Sequence, residues 1–506
     1  MKRSYWSFLA LLVLFTTACN TYNEEHSLEV RTHISEDLKD QFKSKGRLFL
    51  FVNTQSSSQL YNQTWPNGNN HIFALNIDNW ADGHTFPLDG LADFVKTSDM
   101  KLSDMEPGTY FVQVLWDQDM EESRINVPGN LVSEVMEVDL HKEVRVDLPI
   151  TKVIPPRALV DNPHVQLVDI KSDLLSDFWG EEVRVKASVL LPSGYFENPD
   201  QKYPVAYNIS GYGGRYNRVN RSVQGAFGEW WFSGEAPQII NVFLDGEGPF
   251  GDCYQLDSKN NGPYGSSLTQ ELIPHIESEY RAIGTPETRF VDGCSTGGWV
   301  SFALQVFYPD FFNGCFSFSA DAVDFENFQL INIYEEDNAF YNQTGYPIPV
   351  ARQTNGEPMI SMKDFIQYEN VLGYSNTYVT SGGQFSAFTA LYSEKGEDGL
   401  PVPLFDPQTG VIDTTLIDQW ENYDLKRILE DNWSTLGPKL QGKIWVWMGD
   451  MDNFYLNPAM RAMDEFLKST TNPKSDAVIN FTPMAGHCDE FDRVKVNEMI
   501  ADKLNL

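Results

Sequence analysis

Residues 289–299 read Arg-Phe-Val-Asp-Gly-Cys-Ser-Thr-Gly-Gly-Trp, a short apolar strand that passes through Gly293-Cys294-Ser295-Thr296-Gly297 into a helical stretch. The Gly-x-Ser-x-Gly pentapeptide alone says little, since a chain of this length contains one by chance roughly 0.2 times. Its setting says much more. A serine held on a sharp strand-to-helix turn needs neighbours without side chains, because a Cβ at either flanking position would meet the adjoining strand or helix. The same turn leaves the N–H of Thr296 at a helix N-terminus, where it can donate to a developing negative charge. Ser295 is therefore the candidate nucleophile and Thr296 the candidate donor of one oxyanion hydrogen bond.

A serine hydroxyl needs a base within hydrogen-bond reach. Of the eight histidines, His26, His33, His71, His84 and His141 fall in the N-terminal part, His164 precedes the strands of the later region, and His275 lies on the helical stretch Leu268–Tyr280. His487 differs: Met484-Ala485-Gly486-His487 follows the last strand candidate, Val478–Phe481. The acid should lie between serine and histidine in chain order. The strand Ile444–Met448 runs into Gly449-Asp450-Met451-Asp452, which offers two carboxylates, with Asp452 preferred over Asp450 for its place in a Gly-x-x-Asp run. For the second oxyanion donor the loop after an early strand is required, and Ser210-Gly211-Tyr212-Gly213-Gly214 after Val205–Ile209 points to the Tyr212 N–H. The rival reading of this loop as a phosphate cradle fails, because no Lys-Ser/Thr follows the glycines.

Two regions are expected in 506 residues. From 28 to 150, short alternating runs such as Arg47–Val52, Tyr110–Leu115 and Val144–Leu148, separated by turn formers, predict a small β-sandwich with nothing catalytic in it. Ile154-Pro155-Pro156 reads as a linker. From 157 to 506, strand candidates Val205–Ile209, Ile239–Leu244, Phe290–Val291, Cys315–Phe318, Ile444–Met448 and Val478–Phe481 alternate with helices, which predicts an α/β domain with a mostly parallel sheet. One helix, Trp299–Phe307, should bury Val300, Ala303, Leu304 and Phe307 on one face, and another, Pro458–Leu467, should bury Met460, Met463 and Leu467. Between about 322 and 435 an aromatic segment punctuated by glycine and proline interrupts the alternation, as either a cap over the site or a surface insertion.

The chain carries 37 basic against 71 acidic residues, which disfavours nucleic acid and anionic membrane surfaces as partners. Residues 1–19 look like a targeting segment: Lys2 and Arg3, eight apolar residues from Phe8 to Phe15, then Thr16-Thr17-Ala18-Cys19. The ending resembles the lipobox of bacterial lipoproteins, with Thr16 where leucine is usual, and the resemblance implies export, lipidation at Cys19 and a membrane attachment through that lipid only. Cys253, Cys294, Cys315 and Cys488 form no CxxC pairs, so a structural zinc site is not expected.

Residues 200–320 and 440–490 resemble the Putative esterase family, which includes esterase D, bacterial feruloyl esterases and mycolyltransferases. The residues that carry the resemblance are Asn261-Gly262-Pro263-Tyr264-Gly265 before Glu271-Leu272-Ile273-Pro274, Gly293–Trp299, Tyr308-Pro309-Asp310 and Asp452-Asn453-Phe454-Tyr455. The likeness implies an α/β-hydrolase domain, hydrolysis of a carboxylic ester without metal or organic cofactor, and a triad of Ser295, His487 and Asp452. The family's early loop often begins His-Gly where this chain has Ser210-Gly211. Cysteines flanking the serine and the histidine are similar to those of tannases and fungal feruloyl esterases, whose disulfide links these two positions. A Cys294–Cys488 bond is expected accordingly, and serine and histidine side chains in hydrogen-bond reach would bring the two cysteines close. Cys253 and Cys315 are left unpaired. An exported acidic lipoprotein of this kind implies feruloyl or acetyl esters of plant polysaccharide as substrates. The alternatives are an acyltransferase or peptidase with the same triad, or a non-catalytic carbohydrate-binding lipoprotein.

Overall fold

The sheet that carries the serine has eight strands: β1 (Val165–Ser172), β2 (Val183–Leu190), β3 (Val205–Ile209), β4 (Ile240–Leu244), β5 (Arg289–Cys294), β6 (Cys315–Phe318), β7 (Ile444–Gly449) and β8 (Val478–Thr482). They lie in the order β1-β2-β4-β3-β5-β6-β7-β8. Only the β1/β2 and β2/β4 pairs are antiparallel; the others are parallel. This is the α/β-hydrolase fold in a computed structural model that describes residues 26–506 apart from Asn67, Asp82, Met120 and Glu121. The targeting segment with Cys19 lies outside the described residues.

The six expected strands all form, with ends moved by at most one residue except that Phe290–Val291 extends to Arg289–Cys294. Strands β1 and β2 were not among them. They form a hairpin at the sheet edge: β1 is buried only at Val165, Val168 and Ser172, and β2 only over its second half, Ala187 to Leu190, with charged residues in the rest of both strands instead of the apolar runs that mark the central strands. The helix after the serine, α1 (Thr296–Phe307), departs from the one-face expectation: it is buried all round except at its end, where Phe307 is 39% exposed. The helix Asn457–Ser469 buries Met460, Met463 and Leu467 as expected.

The segment between β6 and β7 contributes helices α2 (Met362–Leu372) and α3 (Gln384–Tyr392). It is neither loose decoration nor a simple lid. Its α2 packs on the N-terminal domain, where Tyr368, Val371 and Leu372 join Phe49, Phe51, Ile72 and Leu115 in one apolar cluster.

That N-terminal domain is two-layered. Strand Gly46–Asn53 pairs antiparallel with Asn70–Ile77 and with Gly108–Asp117 in the larger sheet. Leu28–Thr32 lies between Phe86–Leu88 and Val144–Asp147 in the smaller one. Their inner faces share Leu28, Val30, Leu48, Leu50, Val52, Leu88, Val114 and Trp116. Strand Gly46–Asn53 is buried at every position, since α2 covers the face that a free-standing sandwich would leave wet. Arg47, in that strand, donates to the Val371 carbonyl at 2.9 Å and to Asn76 at 2.6 Å. The connection expected as a linker is docked as well: Ile154 is buried, its N–H donates to the Asn130 carbonyl at 2.8 Å, and the Arg157 carbonyl accepts from Tyr216.

Candidate active site

Loops at the C-terminal ends of β3, β5, β6, β7 and β8 converge, the edge of a parallel sheet where ligands usually bind. Ser295 stands between β5 and α1 at φ 61° and ψ −126°, a conformation costly for a residue with a side chain. Glycine is required on both sides: a Cβ on Gly293 would come within 2.5 Å of the Gly297 carbonyl and 2.6 Å of the Ile209 carbonyl, and one on Gly297 would run into the same Ile209 carbonyl. Positive φ also recurs at Tyr254, Ser319, Tyr455 and Cys488, all in the loops around this turn.

On the β7 and β8 side, His487 Nδ1 lies 2.7 Å from Asp452 Oδ2. Asp452 is fully buried, and its other oxygen accepts from the N–H groups of Phe454 at 2.9 Å and Leu456 at 3.4 Å. Both carboxylate oxygens are thus fixed by partners, with one aimed at the imidazole. Asp450 points elsewhere, to an ion pair with Arg461 at the surface. The His487 N–H donates to Asn453 Oδ1 at 2.9 Å, and Phe454 meets the imidazole edge-on at 4.7 Å. Burial disfavours the imidazolium, but the Asp452 carboxylate outweighs it, with help from Asp321 and Asp489, so the pKa of His487 lies above the ordinary histidine value.

A disulfide joins Cys294 to Cys488 with their Cα atoms 6.0 Å apart, across 194 residues of sequence. It fastens the residue before the serine to the residue after the histidine. Cys488 N–H also donates to Ser319 Oγ at 3.0 Å, tying the same loop to the end of β6. Among the described residues no hydrogen bond links Ser295 Oγ to His487. Cys253 and Cys315 are free, buried thiols, each pushed by burial up to about 12.

The loop after β3 lies against the serine: a Cβ on Gly211 would sit 3.4 Å from Ser295 Cβ. Tyr212 follows, and among the described residues neither its N–H nor that of Thr296 donates a hydrogen bond. His164 and His275 stay apart from this cluster. His164 packs edge-on against Phe196 and Phe232, and His275 sits on the helix Ile273–Glu279.

Several residues of the site escaped the sequence reading. Asp321, three residues past β6, is buried and accepts from Tyr254 Oη at 2.8 Å and Thr296 Oγ1 at 3.1 Å. Burial raises its carboxyl to about 6 against those hydrogen bonds. Gln384, at the start of α3, donates to Tyr254 Oη at 2.6 Å, so the insertion reaches the helix end beside the serine. The position of Asp321 just past a strand's C-terminal end was a usable signal. Gln384 carried none, because only the fold brings it there. The N-terminal domain, in which the sequence shows nothing catalytic, packs against the site: Trp65, 40% exposed, packs on Phe454 at 5.6 Å, and Arg124 lies over the Tyr212 ring at 5.0 Å. A separate cavity of about 710 Å³ lies between the N-terminal domain, β2 and the insertion, and none of Ser295, Asp452 or His487 lines it.

A family model described as "Putative esterase" matches residues 181–495, a span that holds all the residues named on the β3, β5, β7 and β8 loops. Among solved structures the chain is similar to a ferulic acid esterase at 16% identity, covering 68% of this chain and 99% of that one, with a TM-score of 0.41. It is similar to an S-formylglutathione hydrolase from Agrobacterium tumefaciens at 14% identity, with 67% and 93% covered and a TM-score of 0.36. A ferulic acid esterase from Anaeromyces mucronatus, in complex with ferulic acid, matches at 14% identity over 67% and 90%, with a TM-score of 0.33.

Proposed function

The chain belongs to the Putative esterase family and is an ester hydrolase of the α/β-hydrolase fold, and from that premise we propose that it cleaves carboxylic esters through a covalent acyl-enzyme on Ser295. Ser295 Oγ attacks the ester carbonyl while His487 Nε2 takes its proton, and the C–O bond to the leaving alcohol breaks as His487 returns that proton to it. Water then adds to the acyl-enzyme, giving its proton to His487, and the acid leaves as Ser295 regains its hydrogen. Asp452 keeps the Nδ1–H tautomer in place and stabilises the imidazolium. The N–H groups of Tyr212 and Thr296 receive the oxyanion.

The observation that carries this reading is the His487–Asp452 contact of 2.7 Å on a loop bound covalently to the serine turn. As substrates we propose feruloyl or acetyl esters of plant polysaccharide, and as location the bacterial cell envelope, at the outer membrane or in the periplasm, anchored through lipid on Cys19. The Lys2-Arg3 start and the Thr16–Cys19 ending support the anchor. Hydrolysis of aryl esters graded by acyl length, followed by feruloylated and acetylated xylan fragments, tests the substrate. Release of neither acid from any xylan fragment by enzyme that is active on aryl esters would remove the polysaccharide reading. Labelled palmitate should enter the wild type and not Cys19→Ala.

A further inference from the structure

The residues that hold the Tyr212 loop do not all come from the hydrolase domain. The loop bends sharply at Gly213, φ 77°, and the Gly213 N–H donates to Asp252 Oδ2 at 2.6 Å, which fixes the peptide next to Tyr212. Asp252 is in turn held by Arg215, whose Nη1 donates to Asp252 Oδ1 at 2.9 Å. Arg215 is almost wholly buried, and its other terminal nitrogen donates to Glu122 Oε1 at 2.5 Å. Glu122 belongs to the N-terminal domain. Its second oxygen faces Arg157 at 3.5 Å, which also pairs with Glu247.

Two neighbours of Glu122 reinforce the contact. Ser123 donates from Oγ to the Pro249 carbonyl at 2.6 Å, and from N at 3.2 Å, on the short hairpin that carries Asp252. Arg124 stacks on Tyr212 itself and fills the space beside two glycines: a Cβ on Gly213 would collide with its guanidinium, and one on Gly382 would lie 2.6 Å from its Cγ. Tyr212 Oη donates to the Gly382 carbonyl at 3.0 Å, two residues before Gln384 of the Thr296 cluster. The guanidinium of Arg124 has no ion pair among the described residues, in a chain with 71 acids. Its contacts are with the loop.

We propose that Glu122 and Arg124 of the N-terminal domain are positioning residues for the oxyanion hole, holding the Tyr212–Gly213 peptide through Arg215–Asp252 and through the Tyr212 ring. The proposal rests on the esterase reading and on Tyr212 as donor. A charge pair buried this deeply adds little net stability, because desolvation offsets its attraction. An oxyanion donor acts only when it meets the transition-state oxygen, so displacing it lowers kcat and leaves substrate affinity nearly intact. Losing such a donor costs about 100- to 1,000-fold, and loosening it should cost less, roughly tenfold to a hundredfold.

The test is steady-state kinetics of the full chain on a small aryl ester, with inhibition by a boronic acid that forms a tetrahedral adduct on the serine. Glu122→Gln and Arg124→Met should each lower kcat roughly tenfold or more, leave KM within about twofold, and weaken boronate binding in step with kcat/KM. A purely structural role would not produce that parallel. If Glu122→Gln fails to fold, Arg124→Met decides, because it leaves the ion pairs of Arg215 untouched. Folded variants with kcat within about twofold of the wild type, or with the loss confined to KM, overturn the proposal. A wild type inert to every ester and to a fluorophosphonate would overturn the esterase reading instead.

Discussion

The β5–β8 side of the site and the β3 side are built differently. On the first, each functional residue sits directly on a loop after its own strand, and one disulfide and one carboxylate fix the geometry within the hydrolase sheet. On the second, the loop of Tyr212 is held by residues far apart in sequence: Glu122 and Arg124 from the N-terminal domain, Asp252 from a neighbouring hairpin, and Gly382 from the insertion. The parts proposed to perform the chemistry are local to the family fold. The parts proposed to aim one oxyanion donor come in part from the N-terminal domain and from the insertion.

The largest expected effect lies on the first side. Ser295→Ala should lower kcat about a million-fold, since the covalent route disappears while the oxyanion donors remain. Half of wild-type activity in that variant would remove the serine from the mechanism. Next comes Asp452→Asn, expected to cost about ten-thousand-fold by favouring the wrong tautomer. Asp450→Asn should stay within about threefold, because its surface pair with Arg461 is worth only ~0–1 kcal/mol. The reverse order would transfer the role to Asp450.

The same contrast governs how far the sequence could be read. Ser295, Asp452 and His487 stood out in the sequence because each follows a strand with a recognisable apolar run, and chain order then assigned them the roles proposed above. The Cys294–Cys488 bond was legible too, because the two cysteines are the chain neighbours of the candidate serine and histidine. The short strand-like runs at Arg47–Val52 and Tyr110–Leu115 announced the two-sheet N-terminal domain. That the outer face of Phe49 and Phe51 is dry was not legible, because α2, which covers it, lies more than 300 residues downstream in sequence. Nothing in the sequence sets Glu122 and Arg124 apart from other charges on a polar loop. Their partners, Arg215 and Tyr212, are identified only when the domains are docked.

Removing the disulfide with Cys294→Ala and Cys488→Ala sharpens the comparison from the other direction. The cross-link closes a long loop, so stability should fall by at most about 5 kcal/mol on the chain-entropy model. The kcat should fall roughly tenfold as the histidine loop loosens. Denaturant unfolding and kinetics of the double variant, compared with those of Glu122→Gln, measure how much each side of the site depends on its fastening. A double variant with unchanged kcat would assign the disulfide to folding alone.

The smallest effect is on pH dependence. The mechanism needs neutral His487, whose pKa is raised in the free enzyme, so imidazolium persists to higher pH and the acid limb of kcat/KM should fall above the ordinary histidine value. Asp452→Asn removes the largest attraction and leaves burial opposed by Asp321 and Asp489 only, which should move that limb down. A limb that stays put in Asp452→Asn would mean that another group titrates.

The most direct test of the account is the covalent intermediate itself. Wild-type enzyme quenched during turnover of a slow ester, or treated with a fluorophosphonate, should carry one adduct that peptide mapping places on Ser295, and Ser295→Ala should carry none. An adduct on any other residue, or hydrolysis with no serine adduct under either condition, would contradict the acyl-enzyme mechanism.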